Sequence, residues 1–286
     1  MILEGLRKVY SGVSWRHPVI AVGLRVLDPL DWLVRGVNGR AALPRYSVRV
    51  RSNGLRSQFG GGKFQREGSY IAELLARYAN LGASSRVLEI GCGCGRTAIP
   101  LARTLTVGSF HGVDIDQVSI QACQRNSELQ AKLFKFEWMD VFNREYNDGG
   151  SQPASSFRFP MTDDAYDIVF LVSVFTHMLP NDVANYIGEI ARMLRPGGRC
   201  FFTTFLMDHG RSWQTMSFPY DFWEAMVYKH EFPEIAVGYR SDFFIEHFAR
   251  HGMGLSGAPR AGTWRGSDRV FPHTSFPQDI LVFSKG

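Results

Sequence analysis

Three carboxylates and three glycines stand at spacings that can do chemistry. Glu89 precedes Gly91, Gly93 and Gly95 in the run Val87-Leu-Glu-Ile-Gly-Cys-Gly-Cys-Gly-Arg96. Asp114 closes the segment Ser109-Phe-His-Gly-Val113, and Asp140 follows Phe134-Lys-Phe-Glu-Trp138. Glycine lets a backbone turn tightly and approach a bound molecule with no Cβ in the way. Many nucleotide binders share such a turn, and Gly93-x-Gly95-x-x-Ala98 also fits a dinucleotide fingerprint. An acid two residues before the first glycine would repel a pyrophosphate, whereas it suits a ligand carrying an ammonium and a sulfonium. A carboxylate at position 114 can accept both hydroxyl hydrogens of a ribose on either reading, and one at 140 can accept from an adenine amino group.

These residues sit in an ordered series: Glu-Ile-Gly-Cys-Gly-x-Gly-Arg, Gly-Val-Asp-Ile-Asp, the acid at 140, Ser173-Val-Phe-Thr-His177 and Leu194-Arg-Pro-Gly-Gly198. Over roughly residues 64–205 the series resembles the class I S-adenosylmethionine-dependent methyltransferases, with a weaker likeness at Gln278-Asp-Ile-Leu-Val282. The resemblance implies S-adenosylmethionine as cofactor. It implies that Gly91, Cys92, Gly93 and Gly95 face the methionine part, that Glu89 holds its amino end, and that Asp114 and Ile115 meet ribose and adenine. It further implies that Asp140 and Val141 fix the adenine edge and that Ser173 sits beside the sulfonium. Nothing about the acceptor site carries over. His177, four residues beyond Ser173, is a candidate general base by position, with helix capping as its alternative role. His209, Trp213, Tyr220 and His273 are candidates for acceptor contacts.

Such residues need strands and helices in alternation to hold them. Arg86–Ile90 reads as a buried strand, 96–105 as a helix, 109–113 as a strand, 118–130 as a helix and 134–138 as a strand. The apolar run 166–172 has the pattern of a central parallel strand, 182–194 of an amphipathic helix ended by Arg195-Pro-Gly-Gly198, and 199–205 of a strand. A helix near 242–251 and a strand at 279–283 follow. The expected fold is α/β: a Rossmann-like, seven-stranded, mostly parallel sheet with helices on both faces and an antiparallel last strand. Residues 148–160, rich in Gly, Ser and Pro, read as an inserted loop. The aromatic stretch 207–240, after the fifth strand, reads as a lid over the acceptor. Residues 64–286 are then the methyltransferase domain and 1–63 a basic helical arm.

The arm owns the charge. Of a formal +5, residues 1–67 contribute 12 Lys/Arg against 4 Asp/Glu, and the remainder is mildly acidic. A basic arm can contact anionic membrane, nucleic acid or an acidic partner, or be a solvated face. Its apolar stretch 19–34, interrupted by Arg25, Asp28, Pro29 and Asp31, is too broken to span a bilayer. It needs burial on its own domain, on a second copy in a homodimer, or on a membrane surface, and packing on the domain is expected. The arm lacks the aromatic–basic interleaving of a stacking surface for nucleic acid, and Ser173-Val-Phe-Thr replaces an Asn-Pro-Pro-Tyr-type motif. The expected acceptor is therefore a small molecule or saccharide methylated at oxygen rather than RNA or protein. A nicotinamide oxidoreductase and a catalytically silent cofactor binder are the rival readings. Four cysteines, with Cys92 and Cys94 too close to bridge each other and no zinc-ligand spacing, suit a reducing, cytoplasmic setting.

Overall fold

A computed structural model describes residues 18–54, 58–106, 108–130, 133–208, 210, 216–265 and 274–286. Five strands run parallel at its centre: β1 (Arg86–Ile90), β2 (Ser109–Asp114), β3 (Phe134–Trp138), β4 (Tyr166–Leu171) and β5 (Leu194–Thr204). β9 (Met253–Leu255) and β10 (Asp279–Lys285) complete a seven-stranded sheet in the order β3-β2-β1-β4-β5-β10-β9, with β10 antiparallel to both neighbours. The expected fold class is what forms.

Strand parity sorts the core into two layers. Leu88, Val169, Leu171 and Phe202 point to one face, where they meet α8 (Pro180–Met193) and α9 (Ser241–Ala249). Val87, Ile168, Phe170 and Phe201 point to the other, against α4 (Gly62–Tyr78) and α5 (Ala98–Thr104). Burial on both faces is why β1 and β4 read as near-continuous apolar runs. Much of the phenylalanine goes into this core. Phe202 alone meets Phe175, Phe244, Phe248 and Phe283 with ring centroids 5.0, 4.7, 5.8 and 6.1 Å away.

Two elements differ from expectation. The helix expected over 118–130 is two, α6 (Gln117–Gln124) and α7 (Ser127–Gln130). Asn126 divides them: its Oδ1 accepts the Glu128 amide at 3.0 Å, starting the second helix, while its Nδ2 donates to the Ala42 carbonyl. The Pro-Gly-Gly after α8 does not separate helix from strand. β5 runs through it, because the pairing jumps from Tyr166–Leu194 to Ile168–Arg199 and the bulge absorbs the extra residues.

The arm consists of α1 (Pro18–Val26), α2 (Asp28–Val37) and α3 (Tyr46–Asn53). It holds itself and the domain chiefly by polar contacts. Asp31 is fully buried and accepts from Arg35 Nε at 2.7 Å, Arg49 Nη2 at 2.6 Å and the Gly60 amide at 2.8 Å. Arg51 grips Asp116 with two hydrogen bonds, of 2.9 and 2.5 Å, and the Ser52 and Ser119 hydroxyls meet at 3.0 Å. The arm thus packs on its own domain through these polar groups and Leu43, but the burial expected for its apolar stretch does not follow: Val22, Val26, Leu30, Trp32 and Leu33 stay exposed. The stretch 207–240 includes a separate antiparallel sheet, β6 (Tyr220–Phe222), β7 (Ala225–Val227) and β8 (Val237–Tyr239). No helix among the described residues is long and apolar enough to cross a membrane.

Candidate active site

At the carboxyl ends of β1, β2 and β4, the position where open α/β sheets bind ligands, lies a cavity of about 360 Å³. Its floor is the glycine turn. Gly91, Gly93 and Gly95 all take positive φ, at 79°, 52° and 87°. A Cβ on Gly91 would lie 2.4 Å from Val174 Cγ2, and one on Gly93 would lie 2.8 Å from Ser52 Cβ. Conformation and space therefore both demand glycine there. Cys92 and Cys94 between them are buried free thiols, and burial pushes both thiol pKa values up, so they remain protonated and inert. They fill a tight turn.

Glu89 reaches the cavity from β1. Only 3% of the residue is exposed, and Oε2 has no hydrogen-bond partner among the described residues. Burial pushes its carboxyl well above the usual range, against the pull of Arg96. An orphaned buried carboxylate oxygen facing a cavity awaits a donor or a cation. Asp114 ends β2 with one oxygen accepting the Gly93 amide at 2.6 Å and the other the Asp116 amide at 2.7 Å. These bonds fix the carboxylate's orientation and leave each oxygen a further lone pair for a ligand hydroxyl. Burial pushes the Asp114 carboxyl up to about 6, against those two amides.

Ile115, Val141 and Ser173 line the same cavity. Ser173 holds φ 62°, an uncommon conformation for a non-glycine residue. Its amide donates to Thr203 Oγ1 at 2.8 Å and its hydroxyl to Gln278 Oε1 at 2.9 Å, which lock it in place. Asp140 is not brought in. Met139 and Val141 turn inward and line the cavity, so Asp140 points the other way, where it accepts from the Ser151 amide and hydroxyl. Its carboxylate pins the inserted loop instead.

His177 ends a short 3-10 turn, Phe175–His177, and also lines the cavity. Its Nδ1 lies 3.0 Å from the Glu234 carbonyl, which can only accept, so Nδ1 carries the proton and Nε2 is left as the basic nitrogen. Glu145 Oε2 lies 3.9 Å from the same Nδ1, and Tyr146 packs edge-on against the ring.

The lid expectation needs correcting. None of the described residues of 207–240 lines the cavity. Phe218, Met226 and Ala236 instead form a small core with Phe205, Met207 and Trp264, because three short strands must bury their own faces. Tyr220 is exposed and packs near His230, away from the cavity. The segment touches the site through the Glu234 carbonyl on His177. His209, Trp213 and His273 lie outside the described residues. Further walls of the cavity come from α3 of the arm and from the loop after β3. Arg51, Ser52 and Asn53 come from the first, Asn143 and Tyr146 from the second, and Asp182 and Tyr186 of α8 join them. Sequence reasoning missed all seven. The only signal was the basic character of the arm, which does not say where it docks.

Residues 88–200 match a family model described as a methyltransferase domain. The chain is 33% identical over 137 residues to a tRNA N(3)-cytidine methyltransferase of Gallus gallus, covering 47% of this chain and 33% of that protein. It is 31% identical over 121 residues to phthiotriol/phenolphthiotriol dimycocerosates methyltransferase 1 of Mycobacterium ulcerans, covering 42% of this chain and 38% of that protein. The chain thus spans well under half the length of these curated relatives. Among solved structures, its fold is similar to that of the [4+2]-cyclase SpnF, with a TM-score of 0.52 at 18% identity, covering 80% of this chain and 84% of that one.

Proposed function

We propose, for a chain whose residues 88–200 form a class I S-adenosylmethionine-dependent methyltransferase domain, that the cavity methylates a hydroxyl oxygen of a small-molecule or saccharide acceptor. The residues fit the donor. The orphaned Glu89 Oε2 suits its ammonium group, and Asp114 suits its ribose hydroxyls. Ile115, Met139 and Val141 offer apolar surface to its adenine, and Ser173 stands at the end of the central strand. Bound there, S-adenosylmethionine supplies a methyl group on a sulfonium that leaves as a neutral thioether. The protein is left to align the acceptor, exclude water and take up a proton.

The observation that carries the oxygen reading is His177. With Nδ1–H held by the Glu234 carbonyl, its Nε2 can accept the hydroxyl proton as the new O–C bond forms. The resulting imidazolium is steadied by that carbonyl and by the Glu145 carboxylate. The relatives that act on tRNA match over stretches covering a third of their length, which leaves their acceptor-binding parts uncompared. Labelling tests the reading. Full-length protein is incubated with methyl-tritiated S-adenosylmethionine and separate RNA, protein, lipid and soluble small-molecule or glycan fractions. Label in the soluble fraction, stable to alkali as an ether, is expected. Label confined to RNA, protein or bulk lipid overturns the acceptor assignment.

Donor binding should depend on pH through Asp114. The ionised carboxylate accepts the ribose hydroxyls, so affinity rises as pH climbs through about 6 and falls below it. At pH 5 only about a tenth of the groups are ionised, so S-adenosylhomocysteine should bind roughly tenfold more weakly than at pH 7.5. Calorimetry at the two pH values checks this. Asp114→Asn should lose the step centred near pH 6, leaving only the contribution of the Glu89 carboxyl, and a variant that keeps that step would remove Asp114 from the donor site.

A further inference from the structure

α2 is amphipathic inside out. Asp31 and Arg35, four residues apart, are turned inward and fully buried against Arg49, while Leu30, Leu33 and Val37 recur on the opposite side at the spacing of an apolar stripe. That stripe is exposed, at 53%, 55% and 90%. Trp32 on its shoulder and Leu27 at the junction with α1 are exposed too, and α1 adds Val22 and Val26. An apolar stripe normally faces the core, and scattered exposed apolar residues mean little. Six on two consecutive short helices, with Leu27 between them, form a patch that calls for an occupant.

Charge says which occupant. Both acids of α2 are engaged inward: Asp28 accepts from the Ser47 amide and hydroxyl, and Asp31 is shared by two arginines. The apolar stripe therefore carries no carboxylate, whereas Arg25 is exposed on the Val22–Val26 side of α1. Arg35, Arg49 and Arg51 are turned to Asp31 and Asp116, away from the stripe. Apolar side chains with an exposed tryptophan and the Arg25 cation at their edge match the boundary between the acyl chains and anionic headgroups of a bilayer. We propose that the outward face of α1 and α2 docks the protein on an anionic lipid surface, lying in the interface rather than crossing it. The buried Asp31 cluster would keep the stripe pointing outward. The proposal does not depend on the identity of the acceptor.

Co-sedimentation of the full chain with vesicles tests it, using equal parts phosphatidylglycerol and phosphatidylcholine against phosphatidylcholine alone. Binding to the anionic vesicles that weakens as salt rises is expected. Leu33→Glu with Val37→Glu should reduce the bound fraction about tenfold or more. It should leave melting temperature and donor affinity unchanged, since neither side chain is in the core or the cavity. No binding by the native chain overturns the proposal, as does binding that the double variant retains. A large fall in melting temperature would show that the face is covered by the chain itself. A native dimer that the double variant dissolves would show that it is covered by a second copy. Either result overturns the proposal as well.

Discussion

Alanine at position 177 is expected to lower kcat by about 10²–10⁴-fold, the range for loss of a positioned base, while donor affinity stays nearly unchanged. The imidazole Nδ1 is committed to the Glu234 carbonyl, and Nε2 has nothing to do in the fold's own hydrogen bonding among the described residues. Single-turnover kinetics with a series of acceptors separates a base from a merely structural ring. As the acceptor hydroxyl becomes more acidic, less is gained by removing its proton, so the defect of His177→Ala should shrink. A defect equal for every acceptor would make His177 a packing residue that supports the Phe175–His177 turn.

The largest expected effect on stability lies far from the chemistry. Removing Asp31 strands two buried guanidinium groups and a buried amide that it now satisfies. Breaking a buried pair in this way costs about 3–5 kcal/mol, because the desolvated partner stays behind without its counter-charge. Asp31→Ala should therefore shift the urea midpoint sharply or separate an early transition of the arm from that of the domain. Replacing Asp31, Arg35 and Arg49 together with apolar residues should recover much of the loss, as expected when the cost comes from the stranded charges. Burial alone would raise the Asp31 carboxyl, but hydrogen bonds from Arg49 and Arg35 hold it below its usual value. The sign follows: the group stabilises the folded chain above the unfolded carboxyl range, about pH 4, and that contribution is lost as pH drops further. A variant with native stability would show that the arm is held by other contacts.

How far the sequence could be read depended on the range of the interactions concerned. β1 and β3 fall on the expected residues, and β2, β4 and α8 differ by one or two, because buried runs and helical periodicity are local signals. Glu89, Asp114 and Ser173 reach the cavity because strand ends in such a sheet converge there. Asp140 does not, since an acid near a strand end can face either way and parity gave the inward positions to Met139 and Val141. The aromatic stretch after β5 was legible as an insertion but not as a unit with a core of its own. Least legible was the contribution of α3. Arg51 meets Asp116 across 65 residues of sequence, and no periodicity in either segment announces the contact.

That contact bears on how such a protein can change its selectivity. The residues proposed to hold the donor, Glu89 and Asp114 among them, lie within 88–200, the stretch matched by the family model, while Arg51, Ser52 and Asn53 enter the cavity from outside it. The proposed donor residues and one wall of the pocket thus come from different lengths of chain. Within α3, Ser52 packs on Gly93 and Arg51 holds Asp116, whose amide Asp114 accepts, so Asn53 is the position from which the pocket can be reshaped with those contacts intact. A change at that one position of the arm would then alter one wall of the pocket while Glu89 and Asp114 keep their places at the strand ends.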